Sequence, residues 1–459
     1  MTASTPSAPS LPLLAGHASL DEPLAWRAGQ PFTRGQYLHQ VHQLARHLPE
    51  GGPVLAMTPD RYHFALALGA AAVRGQSSLM PPNHTPDMVR RLRELFPRSY
   101  VLGDVGHPQL EMPTVAFPTL ARVSGDEAMP MLSADHEVAH VLTSGSTGQP
   151  MPHGKRWGLL VTNIQSEAQR IAETMGRPDL RGVTIVGTVP AHHMYGFEST
   201  VLIAMLGGAA CAAERPFYAQ DIARVLASVP RPRVLVTTPL HLKTLLDDGI
   251  ALPPVDLTVS ATAPLSPQLA ARAEAALGAP LMEIYGCTEA GQVATRLTTQ
   301  GPEWRTFRGL VLSGDGEHVL VSGGHVPEPT RLADVLDVLE PTRFRLLGRS
   351  NDLINVAGKR SSLQHLNHHL NSIEGVRDGA FWLPPDAADG SVVRLVALVV
   401  APELSREALL AALRERVDAA FLPRRILRVE SLPRDPTGKL PAGRLAELAT
   451  RLLSEGANG

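Results

Sequence analysis

Residues 143–148, TSGSTG, combine hydroxyl side chains with two glycines in six consecutive positions. Glycines let backbone N–H groups approach an oxyanion closely, and serine and threonine hydroxyls add further donors. A phosphate group suits this combination, although a plain Ser/Gly turn has the same composition. A Walker A loop fits poorly, because five residues instead of four separate Gly148 from the next Gly-Lys pair, and Arg156 stands where Ser or Thr is required.

Four other short segments carry residues suited to nucleotide or metal chemistry. They are TAP at residues 262–264, YGCTE at 285–289, GRSNDLINVAGKR at 348–360 and PTGK at 436–439. Glu289 offers the hard carboxylate oxygen that Mg²⁺ prefers. Only four of the 42 basic residues are lysines, and Lys155, Lys359 and Lys439 lie in or beside these segments. They are therefore candidates for roles that arginine's wider, planar fork does not fill.

Together and in this order, the five segments resemble the adenylate-forming superfamily, which includes acyl-CoA and aryl-CoA synthetases, adenylation domains and luciferases. The resemblance covers the chain from about residue 30 to residue 450. It implies an AMP-forming ligase that converts a carboxylic acid and ATP into an acyl-adenylate, with release of pyrophosphate. The acyl group then passes to a thiol. ATP and Mg²⁺ are the cofactors that the resemblance implies.

The resemblance also assigns roles around the nucleotide. Residues 143–148 should surround the β- and γ-phosphates of ATP, and Tyr285 should stack on adenine. Asp334, fifteen residues before Arg349, should accept hydrogen bonds from the ribose. Thr288 should touch the α-phosphate, and the metal site should consist of Glu289 and Thr288. The implied nucleotide-binding residues are Thr143, Ser144, Gly145, Ser146, Thr147, Gly148, Lys155, Thr262, Ala263, Pro264, Tyr285, Gly286, Thr288, Asp334, Arg349, Gly358 and Arg360.

The resemblance implies three catalytic residues, Lys439, His193 and Glu289. Lys439 follows a Pro-Thr-Gly turn, from which an ammonium can reach between the acid carboxylate and the α-phosphate. His193, in PAHHMYG, takes the position of a histidine that gates the acyl pocket or lies against the substrate carboxylate; a structural histidine is the alternative. His241 is a candidate contact for a ring hydroxyl, or else a helix-capping or surface histidine.

Three positions depart from the family's pattern. Met151 stands where a lysine usually follows the phosphate loop, so either Lys155 folds back to the phosphates or the loop relies on backbone donors. The usual Thr-Gly-Asp is Leu-Ala-Asp at residues 332–334, which retains only the carboxylate. The hinge position is Asn351, a residue compatible with turn conformations.

The motifs leave the acid and its acceptor open. Coenzyme A and the phosphopantetheine of an acyl carrier protein present the same thiol. The phosphate-loop segment resembles that of ligases that load aryl or acyl groups onto carrier proteins in bacterial pigment and aryl-polyene pathways. This favours a carrier protein as acceptor and an aromatic, hydroxybenzoate- or cinnamate-like acid. An acyl-CoA or fatty-acid-CoA ligase is the alternative. Met151 and Asn351 also leave open a catalytically silent nucleotide- or acyl-binding protein, although Lys439 and Glu289 argue against it.

The elements that must position these residues alternate along the chain. Strand and helix patterns follow one another from residue 33 to about residue 287, which is typical of an α/β fold with largely parallel sheets. GLVLSGDGEHVLVSGG, at residues 309–324, predicts a β-hairpin with a Gly-Asp-Gly turn. Residues 1–20 are expected to form a loose leader.

The resemblance implies two domains. Residues 1–348 would form an N-terminal adenylate-forming domain that holds the carboxylate and ATP. Residues 349–459 would form a small, mobile α+β lid that carries Lys439 and swings between the two half-reactions. Gly358, Lys359 and Arg360 would then lie on the face that serves thioester formation.

Composition restricts the class of protein. With 459 residues, 44% hydrophobic and 19% charged, the chain has a folded composition. The net charge of −2 lacks the excess of basic residues that is typical of a nucleic-acid-binding protein. Cys211 and Cys287 are too few and too widely separated for a disulfide framework or zinc site. The N-terminus has no signal-peptide pattern. The longest apolar run, 201–213, is shorter than the ~20 residues that span a bilayer. We therefore expect a cytoplasmic protein with no membrane partner.

Overall fold

The computed structural model describes residues 8–104, 110–125, 127–144, 150–349, 353–356, 359–384, 395–434 and 440–455. The strands in these residues, numbered in chain order, are β1 (Ser10–Pro12), β2 (Pro23–Arg27), β3 (Gln30–Thr33), β4 (Val54–Met57), β5 (Ser78–Met80), β6 (Tyr100–Gly103), β7 (Thr114–Ala116), β8 (Met131–Ser133), β9 (Glu137–Ser144), β10 (Pro150–Arg156), β11 (Thr184–Gly187), β12 (Ala210–Ala212), β13 (Arg233–Thr237), β14 (Leu257–Ser260), β15 (Leu281–Cys287), β16 (Gly291–Leu297), β17 (Glu303–Thr306), β18 (Leu310–Ser313), β19 (Leu320–Gly323), β20 (Val326–Arg331), β21 (Asp334–Glu340), β22 (Arg343–Arg349), β23 (Leu353–Val356), β24 (Lys359–Ser362), β25 (Asp378–Trp382), β26 (Val396–Val400) and β27 (Arg425–Arg428).

The α-helices in the same residues are α1 (Arg34–Ala45), α2 (Arg61–Val73), α3 (Pro86–Leu95), α4 (Trp157–Thr174), α5 (Met194–Gly196), α6 (Ile203–Leu206), α7 (Ala219–Ser228), α8 (Pro239–Asp247), α9 (Pro267–Leu277), α10 (Leu363–Asn371), α11 (Arg406–Arg414) and α12 (Ala442–Glu455). A π-helix covers Phe197–Leu202, and 3₁₀ turns cover Thr298–Gln300 and Ala419–Phe421.

The larger of two main sheets has a parallel centre and antiparallel flanks. Its order in the described residues is β21-β22-β17-β16-β15-β14-β13-β11-β12-β2-β3. Neighbours from β15 to β2 in this order pair in parallel, whereas β15–β16 and the strands beyond β16 pair antiparallel. Parallel strands need helical crossovers, and α7, α8 and α9 connect β12, β13, β14 and β15 in turn. The α/β fold with parallel-rich sheets is confirmed.

The second main sheet holds the phosphate-loop segment. Its order in the described part of the chain is β10-β9-β5-β4-β6-β7, and only the β9–β10 pair is antiparallel there. Thr143 pairs with Met151 and Ser144 with Pro150. Residues 145–149 therefore connect a hairpin. A Walker A loop joins a strand to a helix, so the topology excludes a P-loop NTPase.

Local sequence signals explain where several helices begin and end. Helix α1 starts with a capping box, in which the Thr33 hydroxyl accepts from the Gln36 N–H and the Gln36 side chain accepts from the Thr33 N–H. Helix α9 begins at Pro267, after a Ser266 cap, and ends at Gly278, whose φ of +67° is in the left-handed region. The predicted Gly-Asp-Gly hairpin is present as the antiparallel pair β18–β19.

The expectation of a loose leader is wrong for residues 8–20. Strand β1 pairs with β8, and Leu13 and Leu14 are fully buried in the main hydrophobic core. The Leu13 N–H donates to the carbonyl of Pro130 at 2.9 Å. The segment is short and contains Pro and Ser, so its sequence has no strand pattern. The strand forms by pairing with a segment about 120 residues away.

The C-terminal part has apolar clusters of its own. Strands β25 and β26 pair antiparallel, β26 and β27 pair in parallel, and helices α10 to α12 contribute the remaining apolar side chains. Every residue of these two clusters comes from residue 354 onward. The domain boundary at 348/349 and the mobility of the second domain remain predictions, and the hinge position Asn351 lies outside the described residues.

Candidate active site

The segments TAP, YGCTE and PAHHMYG come together at one edge of the larger sheet. TAP follows β14, YGCTE ends β15 and PAHHMYG follows β11; these strands are parallel, and β13 lies between β14 and β11. The carboxyl ends of parallel strands lie at the same edge, where ligands of open α/β sheets bind. The parallel topology thus gathers residues that are up to about 100 positions apart in sequence.

Thr262 is strained and has an unsatisfied hydroxyl. Its φ of +79° lies in the left-handed region, which is costly for a β-branched residue. Its Oγ1 atom is buried and has no hydrogen-bond partner among the described residues. A buried polar group without a partner costs free energy. A ligand that bonds this hydroxyl would remove that cost, so the position predicted for adenine suits a polar heterocycle.

Tyr285 and Asp334 are in contact. The Tyr285 hydroxyl donates to Oδ2 of Asp334 at 2.7 Å. The Tyr285 ring packs edge-on against Trp304 and Phe344, with centroids 5.8 and 5.7 Å away. Asp334 also lies opposite Arg349 in the β21–β22 pair. The structure therefore brings together the residues that the sequence assigned to adenine and ribose.

The hairpin between β15 and β16 carries Thr288 and Glu289 in its turn. Gly286 is required there, because a Cβ would lie 2.4 Å from the carbonyl oxygen of Gly291. The Glu289 side chain is exposed. No group of three or more His, Cys, Asp or Glu side chains forms a metal site within the described ranges. Magnesium in nucleotide enzymes is typically held by one or two carboxylates and the substrate phosphates, so one exposed carboxylate in this turn fits Mg²⁺-ATP.

Lys155 reaches the same turn from β10. Its Nζ donates to the backbone carbonyl of Thr288. Burial lowers the pKa of Lys155, while the nearby Glu198, Cys287 and Glu289 oppose that shift. Met151, at the usual lysine position, is 51% exposed. Lys155 is therefore directed to the turn that carries Thr288 and Glu289.

Two buried acids lie behind this turn and were missed by sequence reasoning. Glu167 in α4 and Glu198 in the π-helix are 0% and 2% exposed. The Asn163 side-chain amide donates to Oε1 of Glu198 at 2.6 Å. Burial raises the pKa of Glu198 to about 8 and that of Glu167 to about 7. The available signal for Glu198 was its position three residues before the apolar run that starts at Val201.

His193 caps the short helix α5. Its backbone N–H donates to the carbonyl of Pro190 at 3.2 Å, and its own carbonyl accepts from the N–H of Phe197 at 2.8 Å. The adjacent His192 packs edge-on against His84, with ring centroids 5.5 Å apart. Burial lowers the pKa of His192 to about 4, reinforced by His84 and other nearby positive groups. His192 is therefore neutral at physiological pH.

His241 is neither a helix cap nor a surface residue. It is half-buried in α8, and its Nδ1 lies 3.1 Å from the hydroxyl of Thr188. Its ring packs edge-on against Phe217 at 5.2 Å. Burial, reinforced by the charge of Arg215, lowers the pKa of His241. A neutral histidine, a hydroxyl and an aromatic ring are thus combined at the carboxyl ends of β11 and β13.

Several predicted positions lie outside what the structure describes. They are four residues of the phosphate loop, the glycine predicted on the thioester-forming face and the predicted catalytic lysine: Gly145, Ser146, Thr147, Gly148, Gly358 and Lys439. For others only the backbone is described, in strands β9, β22 and β24: Thr143, Ser144, Arg349, Lys359 and Arg360. Ala263 and Pro264 follow Thr262 and are half-buried and exposed, respectively.

Comparison with known proteins gives consistent results. The family model described as AMP-binding enzyme matches residues 16–320. A 4-coumarate–CoA ligase of Rhodobacter capsulatus is 32% identical over 293 residues, which cover 63% of this chain and 71% of that protein. A 4-coumarate–CoA ligase of Halorhodospira halophila is 30% identical over 316 residues, covering 65% and 73%.

A solved structure shares the fold. The ATP-bound MatB of Rhodopseudomonas palustris superposes with a TM-score of 0.75 at 18% identity, covering 94% of this chain and 97% of that chain. Within the described residues no helix is both long and apolar enough to span a membrane.

Proposed function

Because the chain belongs to the AMP-binding enzyme family, whose AMP-forming ligases activate carboxylic acids with ATP, we propose that its acid is aromatic and that its acceptor is the phosphopantetheine thiol of an acyl carrier protein. A bacterial secondary-metabolic or pigment pathway is the proposed setting. The observation that carries the aromatic acid is the similarity to two 4-coumarate–CoA ligases at 30% identity or more.

The first half-reaction forms the acyl-adenylate. One oxygen of the substrate carboxylate attacks the α-phosphorus of ATP, a new P–O bond forms, and the bond to the β-phosphate oxygen breaks as pyrophosphate leaves. Negative charge accumulates on the α-phosphate oxygens and the leaving group. Fixed cations directed at those atoms stabilise the transition state more than the ground state. Lys439, on the proposed lid, is assigned this role.

Five residues make up what we call the nucleotide side of the site: Thr262, Tyr285, Thr288, Glu289 and Asp334. Thr262 offers its unsatisfied hydroxyl to adenine, and Tyr285 with Asp334 binds adenine and ribose. Glu289 and Thr288 would hold Mg²⁺, which would neutralise phosphate charge. The hydrogen bond between Tyr285 and Asp334 fixes the carboxylate before ATP arrives. Preorganisation of this kind reduces the entropy lost on binding.

Four residues make up what we call the acid side: Thr188, His192, Phe217 and His241. An aromatic acid suits this side because Phe217 supplies an apolar face and His241 a neutral donor or acceptor. A hydroxyl on the ring of the acid would find its hydrogen-bond partner there. A fatty-acid chain carries no polar group that could bond to His241 or Thr188. His193, beside His192, is assigned to gate the pocket.

The second half-reaction forms the thioester. The thiolate attacks the carbonyl carbon of the acyl-adenylate, a C–S bond forms, and the C–O bond to AMP breaks. In the proposed lid rotation, Gly358, Lys359 and Arg360 replace Lys439 at the active site and guide the pantetheine arm. Coenzyme A presents the same reactive thiol, so thioester formation has to be compared directly between the two acceptors.

Pyrophosphate release across a panel of hydroxybenzoates, cinnamates and fatty acids tests the proposal. We expect release with aromatic hydroxy acids, followed by thioester formation with holo carrier protein at lower acceptor concentration than with coenzyme A. Faster release with fatty acids, or a preference for coenzyme A, would identify the acyl-CoA ligase alternative. Tight binding of ATP without release for any acid would identify a catalytically silent protein.

A further inference from the structure

Lys155 does not occupy the place of the lysine that Met151 replaces. The two side chains belong to the same face of β10, four residues apart, with Met151 opposite Thr143 and Lys155 opposite Ala139. At about 3.3 Å per residue, four residues move the Cα by about 13 Å along the strand. The Lys155 ammonium donates instead to the Thr288 carbonyl, in the turn of the β15–β16 hairpin.

The buried ammonium of Lys155 needs a polar partner, because burying a charge without one is expensive. The Thr288 carbonyl supplies that partner. Glu198 lies nearby and is held by the Asn163 amide at 2.6 Å. Burial, and next its neighbour Glu167, raise the pKa of Glu198 to about 8, so this acid is largely protonated near neutral pH.

On the other side of the β15–β16 turn, Gly291 lies close to Asn163 and Glu198. A Cβ on Gly291 would lie 3.4 Å from the Asn163 amide nitrogen and 3.5 Å from Oε1 of Glu198. His325 Nε2 lies 2.9 Å from the carbonyl of Gln292, and the Gln292 amide donates to Ser199 at 3.2 Å. The turn is therefore held at Thr288 by a cation, and the buried Asn163 and Glu198 side chains pack against the backbone at Gly291.

We propose that Lys155 is a positioning residue, which fixes the Thr288 carbonyl and thereby the Thr288 and Glu289 side chains. The proposal rests on the function proposed above for Thr288 and Glu289 in binding Mg²⁺-ATP. It differs from a direct phosphate contact by Lys155, because the lysine acts on the metal-binding turn through a backbone carbonyl.

Titration with AMP-CPP, in which a methylene group replaces the α,β-bridging oxygen that the reaction would break, separates the two roles when it is done with and without Mg²⁺. In Lys155→Met, we expect unchanged affinity without Mg²⁺. The Mg²⁺ concentration for half-maximal binding should rise about tenfold, within the usual range of coupling between sites. Lys243→Met is the matched control, since Lys243 lies on α8 and pairs with Asp247 at 3.3 Å; it should change neither value.

Three outcomes would overturn the proposal. Weaker binding without Mg²⁺ in Lys155→Met would show a direct phosphate contact. An unchanged Mg²⁺ requirement in Lys155→Met would show that the lysine does not position the turn. If Lys155→Met does not fold, as judged by circular dichroism, the shorter, uncharged Lys155→Gln carries the test and must show the tenfold rise. No acid is added in these titrations, so an error in the proposed acid cannot produce these results. If the unaltered chain showed no Mg²⁺-dependent binding, the proposed function would be overturned together with this proposal.

Turnover supplies a second criterion. The kcat for pyrophosphate release should fall about 10²-fold in Lys155→Met, the size expected for a small displacement of catalytic groups. An unchanged kcat would contradict a role in positioning the turn.

Discussion

The nucleotide side of the site rests on buried charge, whereas the acid side is lined by neutral polar groups. Behind Thr288 and Glu289 lie Lys155 and Glu198, both largely removed from water. On the acid side, burial lowers the pKa of both His192 and His241, and Phe217 remains half exposed. A nucleotide is the same in every turnover, so its side can be fixed by strong interactions. The acid differs between family members, and neutral groups on loops can change with little effect on the core.

The largest effect is expected where the two sides meet. Lys439→Ala should lower acid-dependent pyrophosphate release by on the order of 10³-fold, because it removes a cation directed at charge that develops in the transition state. Thioester formation from a supplied acyl-adenylate should continue, measured by loss of free thiol. An equal fall in both half-reactions would contradict the assignment of Lys439 to adenylation alone.

A change on the acid side should leave the nucleotide side unaffected. His241→Ala removes the polar contact proposed for a ring hydroxyl, and we expect the KM for a hydroxylated aromatic acid to rise about tenfold, the lower end of such discrimination. The KM for ATP should stay constant. His47→Ala, an exposed histidine after α1, is the control. A rise in the KM for ATP would show that the two sides are not separate.

Strain on the nucleotide side can be separated from binding at Thr262. Thr262→Gly relieves the positive φ, so the melting temperature should rise by a few degrees, given strain of about 1–3 kcal/mol and a partly offsetting loss from glycine's greater unfolded-state entropy. Thr262→Ala keeps a Cβ at the positive φ and removes the unpaired hydroxyl, so it should be stabilised less than Thr262→Gly. Both variants lose the hydroxyl, so the KM for ATP should rise several-fold in each. Unchanged ATP kinetics would contradict the adenine contact.

The smallest effect concerns pH. Burial raises the pKa of Glu198 from 4.5 to about 8, so the folded state binds this proton more tightly than the unfolded chain. Its stabilising contribution is complete below pH 4.5 and is lost as the pH rises through 8. The melting temperature of the protein should therefore fall between pH 6 and pH 9. In Glu198→Gln this fall should be smaller by a few degrees. Glu447→Gln, exposed on α12, should retain the full pH dependence.

Much of the fold could be predicted from local patterns. The alternating strand and helix pattern from residue 33 to about residue 287 is present, with helices such as α1, α2, α4 and α7. The β18–β19 hairpin forms at the Gly-Asp-Gly turn. The segment 8–20 could not be predicted, because β1 has no pattern of its own and is fixed by pairing with β8. Motif order led to Thr262, Tyr285 and Asp334, and the last two are in contact in the structure. Their roles at the nucleotide remain predictions.

The sequence by itself determined the family, the alternation of strands and helices, and the residue types of the nucleotide side. Only the tertiary structure decided the direction of Lys155, because its hydrogen-bond acceptor lies 133 residues away on another sheet. It also decided the burial of Glu198, a property of the packed core that a single Glu in the sequence cannot reveal. Local patterns set elements through backbone propensity and apolar spacing, whereas charges are paired by long-range packing, which depends on all the elements at once.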